Sequence, residues 1–190
     1  MGTTTLLILD IEKGTVDMLG NTGTYLQRLG SAVAAARSNN IKIVHVITAF
    51  RTGYPECHPS NSLVPAMAAM GKFQEGDWTT EIHPAVAPTK DEVVITKRRV
   101  SAFFGTELEM ILRCFDTEQL VVAGIATSGA VLSTIRHASD LDYRITVLRD
   151  LCMDRDEEVH DLLMDKVFKG KTDVITGQEW MERISANLSA

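Results

Sequence analysis

Two ionisable side chains follow short apolar runs in this sequence, and both are candidates for proton transfer. Asp10 comes directly after residues 6–9, and Lys97 follows the run 92–96. If these runs are parallel strands, both groups lie at the carboxyl edge of the sheet, where open α/β folds bind ligands. There, desolvation would raise the pKa of the carboxyl group and the ammonium group would lower it. The ordinary alternatives are a capping Asp and a solvated basic run, residues 97–99.

A third candidate segment, residues 124–131, is made of small residues and leads from an apolar run into a stretch with helical periodicity. Backbone N–H groups at the start of a helix bind anions and stabilise oxyanions. A tight turn between a strand and a helix also requires small residues. At this point both interpretations of the segment remain open.

The rest of the sequence supplies the elements that would position these groups. Short runs rich in Val, Ile and Leu alternate with amphipathic stretches, a pattern typical of buried parallel strands joined by crossover helices in an α/β fold. The predicted strands are 5–10, 42–48, 92–96, 120–124, 144–148 and 173–176. The predicted helices are 24–38, 107–115, 130–141, 156–167 and 178–188, with Gly177 as a turn before the last.

Residues 50–90 break this alternation. They contain all 5 prolines and only one short predicted helix, 63–70. A loop of this length within a compact domain is usually functional, so we expect it to form a wall or lid over the site. Met67, Met70 and Phe73 are candidates for an apolar lid, although core packing would explain them equally well.

Composition limits the classes of function. A length of 190 residues with 45% hydrophobic and 23% charged residues predicts one domain, residues 1–190. A formal net charge of -6 favours neither nucleic acid nor an anionic membrane as a partner. Three separated cysteines favour neither disulfides nor a zinc site, and the apolar run 6–9 is too short for a signal peptide or a membrane span. We expect a cytoplasmic protein with no metal and no other cofactor.

Three segments together resemble the signature regions of the isochorismatase-like hydrolases, also known as the cysteine hydrolase family. They are Asp10, the segment 97–106 (KRRVSAFFGT), and the segment 124–131 (GIATSGAV) followed by Ser133 and Thr134. The resemblance covers nearly the whole chain. It implies a six-stranded parallel sheet in the order 3-2-1-4-5-6 between helix layers, a Rossmann-type three-layer sandwich, and it commonly goes with homo-oligomers.

Most members of that family use an Asp, a Lys and a Cys, and the resemblance places these on Asp10, Lys97 and Ala130. The Ala is the important departure, because a methyl group cannot attack a carbonyl carbon, so amide hydrolysis through a Cys at this position is excluded. Thr127 and Ser128 are possible substitute nucleophiles, but neither occupies the matching position. Either the Cys was replaced deliberately, or the protein belongs to members that work without it.

Isochorismatases proper belong to the second kind, since they split a vinyl ether by general acid catalysis. The resemblance implies that Asp10 protonates the terminal methylene, that water captures the resulting cation, and that pyruvate leaves. Lys97 would hold a substrate carboxylate or Asp10, and Arg99 would orient the loop or meet a second carboxylate. The substrate-binding residues that the resemblance implies are Phe50, Arg51, Arg99, Phe104, Ala126 and Thr127.

Three positions depart from the isochorismatase pattern: an aromatic residue is replaced by Arg98, a His by Thr127 and a Gln by Phe50. We therefore expect the substrate to be isochorismate or a similar small carboxylated enol ether. Two alternatives to an enol-ether hydrolase stay open. One is an amidohydrolase that has lost its nucleophile, and the other is a noncatalytic binder of small carboxylates.

Overall fold

Six parallel strands form one sheet in a computed structural model that describes residues 3–20, 22–61 and 63–186. The strands are β1 (Thr3–Leu9), β2 (Lys42–Thr48), β3 (Val93–Lys97), β4 (Thr117–Ile125), β5 (Arg144–Met153) and β6 (Asp173–Ile175). Their order is β3-β2-β1-β4-β5-β6. This confirms both the predicted sheet and the strand order that the family resemblance implied.

Helices connect the strands. They are α1 (Lys13–Leu19), α2 (Tyr25–Ser38), α3 (Leu63–Ala69), α4 (Leu108–Cys114), α5 (Leu132–Asp140), α6 (Glu157–Leu162) and α7 (Gly177–Ala186). A π-helical turn, Thr127–Val131, leads into α5, and a second, Leu163–Phe168, continues α6. Residues 187 and 188, at the predicted end of the last helix, lie outside the described residues. None of the helices in the described ranges is both long and apolar enough to cross a membrane.

The sheet is buried on both faces because successive side chains of a strand point to opposite sides. Leu7 and Leu9 of β1 belong to a cluster with side chains of α4, α5 and the segment after α6. Leu6 and Ile8 belong to a second cluster with side chains of α1, α2 and α7. The result is the expected three-layer sandwich.

Helix α1 was not predicted. It has only seven residues, and neither Gly14 nor Thr15 favours a helix intrinsically. Tertiary contacts hold it in place: the Lys13 N–H donates to the Glu81 carbonyl at 2.8 Å, and a Cβ at position 14 would lie 2.7 Å from the Thr79 Cβ. The helix is therefore fixed by the loop that packs against it.

Two further expectations need correction. Strand β5 extends to Met153 and not to 148, because its backbone stays extended through the polar pair Arg149 and Asp150. Gly177 begins α7 and is not a turn before it. A Cβ at that position would lie 2.6 Å from the Leu151 Cδ1, so Leu151 would have to shift to admit a side chain there.

The long loop after β2 folds back over the carboxyl ends of the strands. Phe50, Val64 and Phe73 form a small apolar cluster of their own, against which Met67 packs. The Phe50 N–H donates to the Phe73 carbonyl at 2.7 Å, which joins the start of the loop to its middle. Met70 is 45% exposed and lies outside this cluster, so its expected place in an apolar lid is wrong.

Candidate active site

A cavity of about 350 Å³ lies beyond the carboxyl ends of β1 and β4. In the order 3-2-1-4-5-6 this is the point where the chain reverses direction across the sheet, the usual ligand site of such folds. The loop residues Phe50, Met67 and Phe73 line it from above, so the expected wall over the site is present. The rest of the lining combines apolar residues such as Ile125 with polar and small ones, which are Asp10, Thr15, Thr48, Lys97, Ala126, Ser128, Gly129, Ala130, Asp154 and Arg155.

Asp10, Thr48 and Lys97 form a closed polar triangle at the floor of this cavity. The Lys97 Nζ lies 2.8 Å from Asp10 Oδ2 and donates to Thr48 Oγ1 at 2.7 Å. The Thr48 hydroxyl in turn donates to Asp10 Oδ1 at 3.0 Å. Each residue comes from the end of a different strand, and Asp10 and Lys97 are buried. The two sequence-predicted residues are thus in direct contact, and Thr48 is a third member that the sequence did not reveal.

The backbone around Asp10 is unusual and depends on Gly124. Asp10 has φ 52°, in the left-handed region, and its N–H donates to the Val46 carbonyl at 2.8 Å. Gly124 has φ 140°, and a Cβ at that position would lie only 2.1 Å from the Leu9 carbonyl oxygen. Only glycine allows β4 to pass so close to the end of β1. The close approach of β4 at Gly124 therefore sets the position of Asp10.

Burial controls the charge state of two carboxyl groups. It raises the pKa of Asp10, against the opposing effects of the Lys97 ammonium and the Thr48 hydroxyl. It raises the pKa of Glu12 still more clearly, and the negative charge of Asp10 adds to this rise. Glu12 Oε1 accepts a hydrogen bond from the Thr15 hydroxyl at 2.9 Å, but Oε2 has no partner among the described residues. Burial therefore favours the protonated form of both groups, and Glu12 was not singled out from the sequence.

The segment after β4 brings Ala126 and Ala130 into the wall of the cavity. The Ser128 N–H does not point to free space, because it donates to Asp154 Oδ2 at 2.7 Å. Burial opposes ionisation of Asp154, but hydrogen bonds from Ser128 and the following amides outweigh it and lower the pKa. This amide at the start of the helical turn is therefore occupied by a carboxylate of the protein itself.

Four of the six expected substrate-binding residues do not line the cavity, whereas Phe50 and Ala126 do. Arg51 pairs with Glu56 at 2.6 Å. Arg99 donates to the carbonyl groups of Arg98 and Glu56, at 2.6 and 3.2 Å, and so orients the loop. The remaining two are also elsewhere: Phe104 is 61% exposed, and Thr127 is buried with its hydroxyl 2.8 Å from His160 Nδ1.

Thiols are also absent from the described walls of the cavity. Cys57, Cys114 and Cys152 are all free. Cys152 is buried, and burial raises its pKa to about 12, which makes it a poor nucleophile. Within the described residues, no three side chains of His, Cys, Asp or Glu are arranged to hold a metal ion.

Sequence reasoning also missed Asp154 and Arg155, which line the cavity directly after β5. The predicted strand ends at 148 and the next predicted helix begins at 156, so these two residues fall between the predicted elements. The available signal was their position before the helical run that follows, where Asp156 caps α6 by accepting from the Val159 N–H at 3.1 Å. A predicted strand that continues almost to this cap places both residues at the carboxyl edge of the sheet, beside the site.

Comparison with known sequences identifies the family. A family model, the isochorismatase domain, matches residues 4–179. The uncharacterized isochorismatase family protein YwoC of Bacillus subtilis is 30% identical over 181 residues, covering 95% of this chain and 94% of that protein. Ureidoacrylate amidohydrolase RutB of Serratia proteamaculans is 31% identical over 169 residues, covering 77% of this chain and 68% of RutB.

The solved structure of an isochorismatase family protein from Desulfovibrio vulgaris superposes with a TM-score of 0.85 at 23% identity. The match covers 97% of this chain and 100% of that one, which shows the same fold. Together with the family model and the relatives, this assigns the sheet and its helices to a known class of α/β hydrolase. The chain belongs to the isochorismatase family.

Proposed function

We propose that this chain hydrolyses the vinyl ether of isochorismate, or of a similar small carboxylated enol ether, with Asp10 as the general acid. The observation that carries the proposal is the composition of the cavity. It joins a buried Asp10–Lys97 pair to Ala130, whose methyl group stands where the family resemblance places a nucleophile. Protonation of an enol ether needs an acid and water but no covalent nucleophile.

The polar triangle suits this role. Burial raises the pKa of Asp10, so the carboxyl group can hold the proton that the reaction consumes. Asp10 transfers that proton to the terminal methylene carbon, and the ether carbon becomes an oxocarbenium centre. Lys97, 2.8 Å from Asp10, stabilises the carboxylate left behind. Thr48 fixes the orientation of the carboxyl group through its hydrogen bond.

Water then completes the reaction. It adds to the oxocarbenium centre and returns a proton to the Asp10 carboxylate, which gives a hemiketal. The hemiketal breaks its bond to the alcohol oxygen, which takes up the proton of the hemiketal hydroxyl, and pyruvate leaves with the alcohol. The apolar walls formed by Phe50, Phe73 and Ile125 limit the water around the charged intermediate.

Pyruvate release from isochorismate tests the proposal. Wild-type protein should release pyruvate, and Asp10→Asn should abolish the release, since Asn has no proton to give but tolerates a left-handed backbone. Asp17→Asn is the matched control, because Asp17 is an exposed Asp paired with Lys72 at 3.7 Å. A wild-type protein that releases no pyruvate from isochorismate or from related enol ethers would contradict the proposal.

An amidohydrolase is the second candidate, and the name of the relative RutB favours it. In this reading Ala130 stands in place of a lost nucleophile, beside an Asp10–Lys97 pair that would activate a thiol. Ala130→Cys should then gain hydrolysis of ureidoacrylate or of another amide in a panel, while Ala126→Cys, in the same wall, should not. A panel without any gain of activity would exclude this candidate. Saturable binding without turnover in either assay would instead identify a noncatalytic binder.

A further inference from the structure

Only two basic side chains line the cavity within the described part of the chain, Lys97 and Arg155. Lys97 is already engaged, because its ammonium group contacts both Asp10 and Thr48. Arg99, the other expected partner of a carboxylate, donates to backbone carbonyls and lies outside the cavity. A carboxylated substrate therefore needs a different cation.

Arg155 has the hydrogen-bonding capacity that the other two lack. Its guanidinium group donates from Nη2 to the Met18 carbonyl at 2.7 Å, at the end of α1. No carboxylate among the described residues forms an ion pair with it, so most of its five N–H groups remain available. Its side chain is exposed, whereas Asp10 and Lys97 are buried at the floor. Arg155 therefore stands at the mouth of the cavity.

Arg155 also borders a second, outer cleft of about 560 Å³. Two other arginines line this cleft, but both are neutralised by the protein. Arg28 lies 3.6 Å from Asp150, and Arg149 pairs with Asp161 and Asp165 at 2.7 Å each. Arg155 lies where the inner cavity and the outer cleft meet, and of the arginines in the described part of these walls it alone has no ion-pair partner.

Asp154 and Asp156 flank Arg155 in the sequence, and the oxygens of both accept from backbone N–H groups. Asp154 accepts from the Ser128 N–H at 2.7 Å and from the Asp156 N–H at 3.4 Å, and Asp156 accepts from the Val159 N–H at 3.1 Å. Neither carboxylate forms an ion pair with Arg155, so its guanidinium group can bind a ligand. An arginine presented in this way binds a carboxylate by charge-assisted, often bidentate, hydrogen bonds.

We infer that Arg155 recognises the substrate carboxylate and makes this site selective for small organic anions with an apolar body. The apolar body lies against the walls of the cavity, with the reacting group towards Asp10 and the carboxylate towards the mouth. The inference rests on the proposed function, because it takes this cavity as the substrate site. Arg155 determines specificity and takes no part in proton transfer.

Calorimetric binding of benzoate and benzamide tests the inference, because the two probes share one apolar body and differ in charge. Wild-type protein should bind benzoate more tightly than benzamide, and added salt should reduce the difference. Arg155→Gln should weaken benzoate binding by about tenfold and leave benzamide unchanged. Arg155→Lys, which keeps the charge but not the planar fork, should recover part of the loss.

Arg28→Gln is the matched control, because it removes one positive charge from the same cleft but from an arginine that is already paired. It should change benzoate binding by less than Arg155→Gln does. If both variants weaken benzoate binding equally, the binding depends only on the overall positive charge of the cleft, and the inference is overturned. Wild-type protein without a preference for benzoate would overturn it as well, as would an Arg155→Gln variant with wild-type binding.

Turnover separates this inference from the proposed function. In the pyruvate assay, Arg155→Gln should raise KM by about tenfold with little change in kcat, whereas Asp10→Asn removes turnover itself. If wild-type protein releases no pyruvate but keeps an Arg155-dependent preference for benzoate, the proposed reaction fails and the anion specificity stands. If pyruvate is released and KM does not depend on Arg155, the inferred role of Arg155 is refuted, whereas the proposed reaction is supported.

Discussion

Replacing Asp10 or Lys97 alone should lower the free energy of unfolding far more than replacing both residues together. The two groups lie 2.8 Å apart, and their side chains are 10% and 4% exposed. Removal of one partner leaves a buried charge without its counterion, a change that typically costs about 3–5 kcal/mol. For a chain of this length, each kcal/mol lowers Tm by roughly 2–4 °C, so each single variant should melt roughly 6–20 °C lower.

The two single variants should fail for different reasons. In Lys97→Met, the buried Asp10 carboxyl group loses its counterion and must take up a proton at neutral pH, which costs free energy even though burial raises its pKa. In Asp10→Asn, the Lys97 ammonium stays buried with Thr48 and the new amide oxygen as its acceptors. Asn is chosen because it tolerates the left-handed backbone at position 10, where φ is 52°.

The double variant Asp10→Asn/Lys97→Met contains no buried charge at these positions, so its free energy of unfolding should be lower than that of wild type by about 2 kcal/mol or less. Denaturant unfolding of wild type, both single variants and the double variant at neutral pH gives the coupling energy, which we expect to be about 3 kcal/mol or more in favour of the pair. Unchanged m-values would show that the unfolded states are comparable. If the two single effects add to the effect of the double variant within about 0.5 kcal/mol, the reasoning is refuted.

Two further predictions concern neighbouring groups. The folded-state pKa of Glu12 lies above its unfolded value, so its contribution to stability is full below the unfolded pKa and is lost as pH rises through the folded pKa. Glu12→Gln should therefore lose less stability than wild type between acidic and alkaline pH, and parallel pH dependences of Tm would contradict this. Gly124→Ala should lower the free energy of unfolding by about 4 kcal/mol or prevent folding, because its Cβ would lie 2.1 Å from the Leu9 carbonyl oxygen. Gly129→Ala is the control and should melt close to wild type, because its Cβ would lie 3.9 Å from the Ala126 Cβ.

The sheet and the floor of the site could be predicted from the sequence because both follow from local patterns. A buried parallel strand is an apolar run, and the residue after the run lies at the carboxyl edge. This pattern predicts that Asp10 and Lys97 lie at the same edge of the sheet. The contact between them follows from the adjacency of β1, β2 and β3 in the sheet.

The rest of the site depends on tertiary contacts that have no local pattern. Helix α1 is short and is held by the loop that packs on it, so its sequence lacks a helical period. Strand β5 continues through polar residues, which concealed the place of Arg155. Arg51 and Arg99 have the charge that a carboxylate needs, but each is engaged by Glu56, through its side chain or its carbonyl group. The homo-oligomer and the cytoplasmic location stay predictions.

The polar triangle also holds the end of an edge strand. Strand β3 has five residues and only one neighbour in the sheet, and its final residue Lys97 lies opposite Thr48 of β2. Exposed strand edges invite pairing with other chains, so a short edge strand needs a firm attachment. Because Lys97 reaches across β2 to Asp10, the same three side chains attach the edge strand and form the floor of the candidate site. A substitution at any of these three positions should therefore change the site and the attachment of the sheet edge together.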